Sequence, residues 1–172
     1  MREREHAITA ILDAGGGELT GRVRLQKTFY LLDQLGLDSG FDYEYHHYGP
    51  YSFDVENATA DAKALGLVEE KLGRRQSDGA TYSIFSLKEP PQSPGYGRLG
   101  RERAADLVHR FARTNITVLE LAATVDWLWR AEKSPDWRSE VTRRKTLKVQ
   151  NGRLDRAVEL LSEIGLPPPR VA

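Results

Sequence analysis

At 172 residues the chain is long enough for one domain, or one domain with a helical extension, and its 40% hydrophobic and 29% charged composition supports a core and excludes a disordered tail. Twenty-five basic side chains balance twenty-five acidic ones, which removes any global electrostatic argument for nucleic acid or an anionic membrane. The absence of cysteine excludes disulfides and thiolate chemistry, no run of ~18 apolar residues could span a membrane, and Met1-Arg2-Glu3-Arg4-Glu5-His6 does not open a signal-peptide apolar core, so the expectation is a cytoplasmic protein with no membrane partner.

In chain order, Ile8, Ile11 and Leu12 have helical spacing over about 4–14, and Gly15-Gly16-Gly17 stops that helix. A second helix is expected from about Arg22 to Leu35. Its apolar face is Leu25, Thr28, Phe29, Leu31, Leu32 and Leu35, and projection at 100° per residue turns Gln26, Lys27, Tyr30 and Gln34 away from the core. Phe41 to His46 alternates aromatic with polar residues, the period of a half-buried strand. After His47-Tyr48-Gly49, Pro50 is expected to hold Gly49 extended at a strand-to-helix corner, and Ser52 to cap a helix reaching about Leu65. Segments 67–72 and 80–87 then read as a β-hairpin.

Glu89 to Gly97 holds three prolines and two glycines and reads as a connector. Residues 1–88 carry ten basic against fourteen acidic side chains, and residues 89–172 fifteen against eleven, so the charge boundary falls at the same place. Four helices are expected beyond it: 98–113; one opened by a capping box from Thr117 to Glu120 and ending near Trp129; one capped by Ser134 with Pro135 at its first position; and one from about 151 to Ile164. The expected fold is therefore mostly α with a small β-hairpin, an α+β class. It places a winged-helix-like module at 1–88, a Pro/Gly connector at 89–97, and a helical module with a proline-rich tail at 98–172.

Two motifs carry a resemblance, Gly21-Arg22-Val23-Arg24-Leu25-Gln26-Lys27-Thr28-Phe29-Tyr30-Leu31-Leu32 and Tyr45-His46-His47-Tyr48-Gly49-Pro50-Tyr51-Ser52. The chain resembles the YwgA-like family of uncharacterised bacterial proteins and, more distantly, the SocA-type antitoxin domain, also called Panacea. Phe29 stands where the helix motif more commonly has an aliphatic residue. The resemblance implies a winged-helix-like cytoplasmic protein, relatives that neutralise a partner protein, and no enzymatic activity.

The candidate sites follow from exposure and charge. Gln26, Lys27 and Tyr30, on the helix face turned from the core, are either solvated, covered by the C-terminal helices, or candidate partner-binding residues; His47, Tyr48 and Tyr51 around the Gly-Pro corner are candidate partner-binding residues too. Adjacent His46 and His47 on a strand point to opposite faces and have no third ligand nearby, so no metal is expected. Glu69-Glu70-Lys71 matches the tail of a nuclease metal motif, but the acidic partners it would need fall on a helix. The third helix carries Asp54, Glu56 and Asp61 against Lys63 alone, which disfavours insertion between phosphates. Arg74 and Arg75 on the hairpin turn, with Arg143, Arg144, Lys145 and Lys148 in the basic stretch 138–156, are the candidate nucleic-acid contacts.

With no catalytic constellation, cofactor or metal expected, the leading expectation is a non-enzymatic regulator or adaptor of antitoxin type. Its partner would be a protein such as a toxin or a defence protein. The alternative is a winged-helix accessory factor that binds DNA or RNA without sequence specificity.

Overall fold

A computed structural model describes residues 4–92 and 95–171. The Met1-Arg2-Glu3 opening and Ser93-Pro94 of the connector lie outside the described residues. The order is α1 (Glu5–Ala14), β1 (Glu18–Thr20), α2 (Arg22–Gln34), β2 (Glu44–His46), β3 (Gly49–Tyr51), α3 (Phe53–Ala64), β4 (Val68–Arg74), β5 (Thr81–Leu87), α4 (Arg101–Arg113), α5 (Ile116–Arg130), α6 (Trp137–Lys145) and α7 (Arg153–Ile164), with a 3-10 turn at Thr146–Val149. This is an α+β fold dominated by helix. Among the described residues no helix is long and apolar enough to cross a membrane.

Among the described residues two antiparallel sheets form. β5 runs between β1 and β4, with Leu19 opposite Phe85 and Glu70 opposite Phe85 on the other side. Leu19, Phe85 and Val68 are buried, so one face of this sheet closes the core. Sequence reading misses β1 because three residues after a glycine run are too few to show a period of two.

The second sheet is the β2–β3 hairpin, pairing Glu44 with Tyr51 and His46 with Gly49. It replaces the expected strand-to-helix corner. Gly49 is not simply extended: its φ is +92°, a region that an L side chain enters at a cost. A Cβ there would also lie 2.5 Å from Thr124 Oγ1 on α5.

α5 is the central helix. Leu119, Leu121, Ala122, Ala123, Val125 and Leu128 are all fully buried, and the helix packs on α2, α6, α7 and β3. Its N-cap is Asn115, whose Oδ1 accepts from the N–H groups of Thr117 and Val118 at 3.0 and 3.2 Å. The expected Thr117–Glu120 box does not form, because Glu120 is drawn inward by lysines. Asp136 rather than Ser134 caps α6, with Oδ1 accepting from Ser139 N. Ser52 caps α3 as expected, accepting from Val55 N at 3.2 Å.

Candidate functional site

The helix motif faces inward. Gln26, Lys27 and Tyr30 are only 6%, 1% and 2% exposed, because α5 and the β2–β3 hairpin cover the face of α2 that a two-dimensional projection leaves open. Of the expectations for this face, the covered one agrees with the burial, and the role of these residues as an exposed partner surface is corrected. Gln26 forms a closed pair with the backbone of Ser52, its Nε2 donating to Ser52 O at 2.9 Å and its Oε1 accepting from Ser52 N at 2.8 Å. Lys27 Nζ donates to Pro50 O at 2.6 Å, and Tyr30 Oη donates to Asp126 Oδ2 at 2.7 Å. Arg130 completes that group with a 3.0 Å ion pair to Asp126. Burial, with the Asp126 carboxylate beside it, raises the Tyr30 hydroxyl well above its ordinary range.

Behind the hairpin two amines reach one buried carboxylate, whose charge a third, that of Lys27, also feels. Glu120, 2% exposed, accepts from Lys148 Nζ at 2.9 and 3.0 Å, with Lys145 Nζ 3.8 Å away. Lys145, itself buried, donates to His47 O at 3.1 Å. Burial pushes the Lys27 amine down to about 7; Glu120 opposes that and Lys145 and Lys148 add to it. Lys145 is lowered for the same first reason. The hairpin is thus held from behind by two lysines bonded to its carbonyls.

Its outer side is open. His47 is exposed at the turn, Tyr48 is 51% exposed, and Tyr51 is half-buried. Tyr51 stacks edge-on against Phe53, itself 51% exposed, and both rings contact His46. Phe53 escapes sequence reading because it reads simply as the first apolar residue of a helix. Lys148 Nζ lies 5.0 Å from the Tyr48 ring centroid.

Beside this aromatic group a cleft of about 440 Å³ opens between α2, α3 and the β4–β5 hairpin. Val23, Leu25, Val55 and Phe85 line it, with Tyr48 and Tyr51 at one side and Lys27 also in the lining. At the hairpin side Glu70 accepts from Arg22 at 2.8 Å, Lys63 at 2.6 Å and Ser83. Burial alone would raise the Glu70 carboxyl; the bonds from Lys63, Ser83 and Arg22 outweigh it and hold the group at about 2. Glu70 therefore clamps the hairpin to α2 and α3. Glu69 and Lys71, 4.0 Å apart, lie away from it, and among the described residues no cluster suited to a metal ion forms.

Most of the basic stretch is internally neutralised. Arg143 pairs with Glu140, and Arg144 pairs with both Glu132 and Glu140 at 2.7 and 2.6 Å. Lys145 is buried, which corrects its assignment to a surface contact, and Lys148 is held by Glu120. On the β4–β5 turn Arg75 pairs with Asp78 at 3.0 Å and Arg74 is exposed. A count along the sequence cannot see these partners, since Glu120 lies on α5 and Glu132 just past its end, outside the basic stretch.

No family model matches the chain. It is similar to the uncharacterized protein YwgA of Bacillus subtilis, 27% identical over 171 residues that cover 94% of this chain and 96% of that protein. This likeness supports the YwgA-like resemblance over nearly the whole length. The chain is also 30% identical over 132 residues, 72% of its length, to a protein of Thermus aquaticus named DNA ADP-ribosyl glycohydrolase. It spans 34% of that relative. The likeness corrects the expectation of a chain apart from enzymes, since a similar segment occurs in a protein named for hydrolysis.

Proposed function

We propose that the chain is a partner-binding regulatory module of antitoxin type, with a winged-helix-like front half, serving a system that acts on ADP-ribosylated DNA. The observation that carries this reading is the β2–β3 hairpin, locked from behind by Lys27 and Lys145 while presenting His47, Tyr48, Tyr51 and the adjoining Phe53 outward. Rigid, exposed aromatic side chains are where interface energy concentrates. The motif resemblance to SocA-type antitoxins supports neutralisation of a protein, and the acidic α3 favours protein over nucleic acid on that side. The name of the Thermus relative supplies the link to ADP-ribosylated DNA.

The test is co-purification with the protein encoded beside this gene, followed by titration of Phe53→Ala and His47→Ala variants. Loss of at least about tenfold in affinity with an unchanged melting midpoint is expected, the size of an interface anchor. Unchanged affinity in both variants would move the docking surface elsewhere. A second reading, hydrolysis of ADP-ribosyl groups by this chain, is favoured by the same likeness. Release of ADP-ribose from a modified DNA oligonucleotide by the purified chain would establish it.

A further inference from the structure

We propose that β4 is the interface of a symmetric dimer, in which two copies of this chain join their β4 strands antiparallel about a two-fold axis at Leu72. The proposal uses no residue of the docking hairpin and stands apart from that reading.

The edge is open and regular. In the order β1-β5-β4 no strand lies beyond β4 among the described residues, and its seven residues pair with β5 without a bulge. Arg75 N donates to Ala80 O at one end of that ladder and Lys88 N to Leu67 O at the other, at 2.9 and 2.8 Å. Antiparallel pairing alternates, so the odd-numbered residues bond β5 while Glu70, Leu72 and Arg74 turn their N–H and C=O groups outward. Such an edge is a template for another strand. Leu72, in its middle, is 72% exposed, the most of any large apolar side chain among the described residues. Proteins often blunt an edge with an inward-pointing charge. Glu70 takes that position here, but Arg22 and Lys63 already neutralise it.

Charge selects the second copy and its register. A two-fold axis perpendicular to the sheet pairs residues whose side chains share a face. With Leu72 on the axis, Leu72 meets its own counterpart, Glu70 faces the partner's Arg74, and Glu69 faces the partner's Arg75. Each acid thus stands opposite a base, and symmetry repeats both pairs. Arg74 is exposed and forms no ion pair of its own among the described residues. Lys71 meets the partner's Gly73. A Tyr82 ring atom lies 2.4 Å from where a Cβ on Gly73 would stand, so that ammonium lies beside an aromatic ring. Moving the axis to Glu69, Glu70, Lys71 or Arg74 sets a charge against itself, and moving it to Gly73 sets Lys71 against Arg75. Like charges directly opposite are destabilising, which leaves the Leu72 register.

Cross-linking reads the axis directly. The chain has no cysteine, so Leu72→Cys places a single thiol on each copy. In a hydrogen-bonded antiparallel pair the Cα atoms are ~5.5 Å apart, within the ~4.4–6.8 Å that disulfides span. Oxidised Leu72→Cys is expected to run as a covalent dimer, and Ser77→Cys, on the hairpin turn, as a monomer. Sedimentation of the full chain checks the non-covalent form. One strand pair is a small interface, so a Kd of ~1–50 µM is expected. Leu72→Pro removes an N–H that β5 does not use and should weaken association at least about tenfold. Arg75→Glu should weaken it about tenfold as well, and Glu69→Arg/Arg75→Glu should restore it. A parent chain that stays monomeric at about 500 µM would overturn the proposal, as would a dimer of unchanged affinity in Leu72→Pro and Arg75→Glu. Equal cross-linking at positions 72 and 77 would place the contact elsewhere. Sedimentation of the parent and the Leu72→Cys cross-link decide the question even if the proline variant fails to fold.

Discussion

Tyr30 reaches across 96 positions to a carboxylate that is itself fully buried. Tyr30→Phe keeps the ring and leaves Asp126 one donor short, so a loss of about 1.5–3 kcal/mol is expected by urea denaturation. Tyr30→Ala adds a cavity between Tyr43 and Trp127, whose rings flank it, and should cost ~3–5 kcal/mol. A loss below about 1 kcal/mol would mean that the ring leaves the core readily. Lys27 gives a pH signature instead. Its ordinary value of 10.5 falls to about 7 in the folded chain, so between those limits the unfolded chain holds a proton that the folded chain has released. Stability from this group therefore rises with pH from about 7 to about 10.5, by at most ~1.4 kcal/mol per pH unit. Lys27→Met should flatten that rise relative to the parent. Parallel curves for the two proteins between pH 7 and 9.5 would contradict the burial argument.

At the scale of elements, the β2–β3 hairpin depends on how closely Gly49 approaches α5. Gly49→Ala meets both a left-handed backbone, ~1–2 kcal/mol, and the Thr124 hydroxyl. Overpacking of this kind adds about 1–3 kcal/mol. The double variant Gly49→Ala/Thr124→Ala should recover the steric part and leave the backbone part, as read from melting midpoints. Equal losses in the single and double variants would show that the hairpin shifts as a body to relieve the contact. The Gly-Pro motif was legible in the sequence as a backbone device, but its nature was not. Hairpin and corner share the same local residues, and only pairing of Tyr45 with Pro50 separates them.

For the whole molecule, the basic stretch is mainly a set of braces between helices. Lys145 ties α6 to the hairpin carbonyl of His47 and to the carboxylate on α5, so Lys145→Glu would bury a second acid beside Glu120. A loss of about 3–5 kcal/mol is expected, enough to unfold a marginal domain. Arg143→Glu, on an exposed pair with Glu140, should change stability by less than ~1 kcal/mol. Thermal melts of the two variants side by side check this contrast; equal effects would mean that α6 is not held through Lys145. Any binding to random duplex DNA should be weak and lost steeply with salt, since most of these cations already have partners.

The sequence by itself determined the helix periods, the β4–β5 hairpin, the Ser52 cap and the α+β class, because those depend on residues within a few positions of one another. It also singled out the Leu25-Gln26-Lys27 and Gly49-Pro50 motifs. The tertiary structure decided which way they act. A helical wheel divides α2 into an apolar face and a polar face and assigns water to the second. Burial of Gln26, Lys27 and Tyr30 becomes possible only when Ser52, Pro50 and Asp126 supply acceptors and donors from distant segments. The same holds for charge. A run of cations reads as a basic surface until folding brings Glu120 and Glu132 beside it, and electrostatic partnership is a property of distance in space, which the order of residues does not contain.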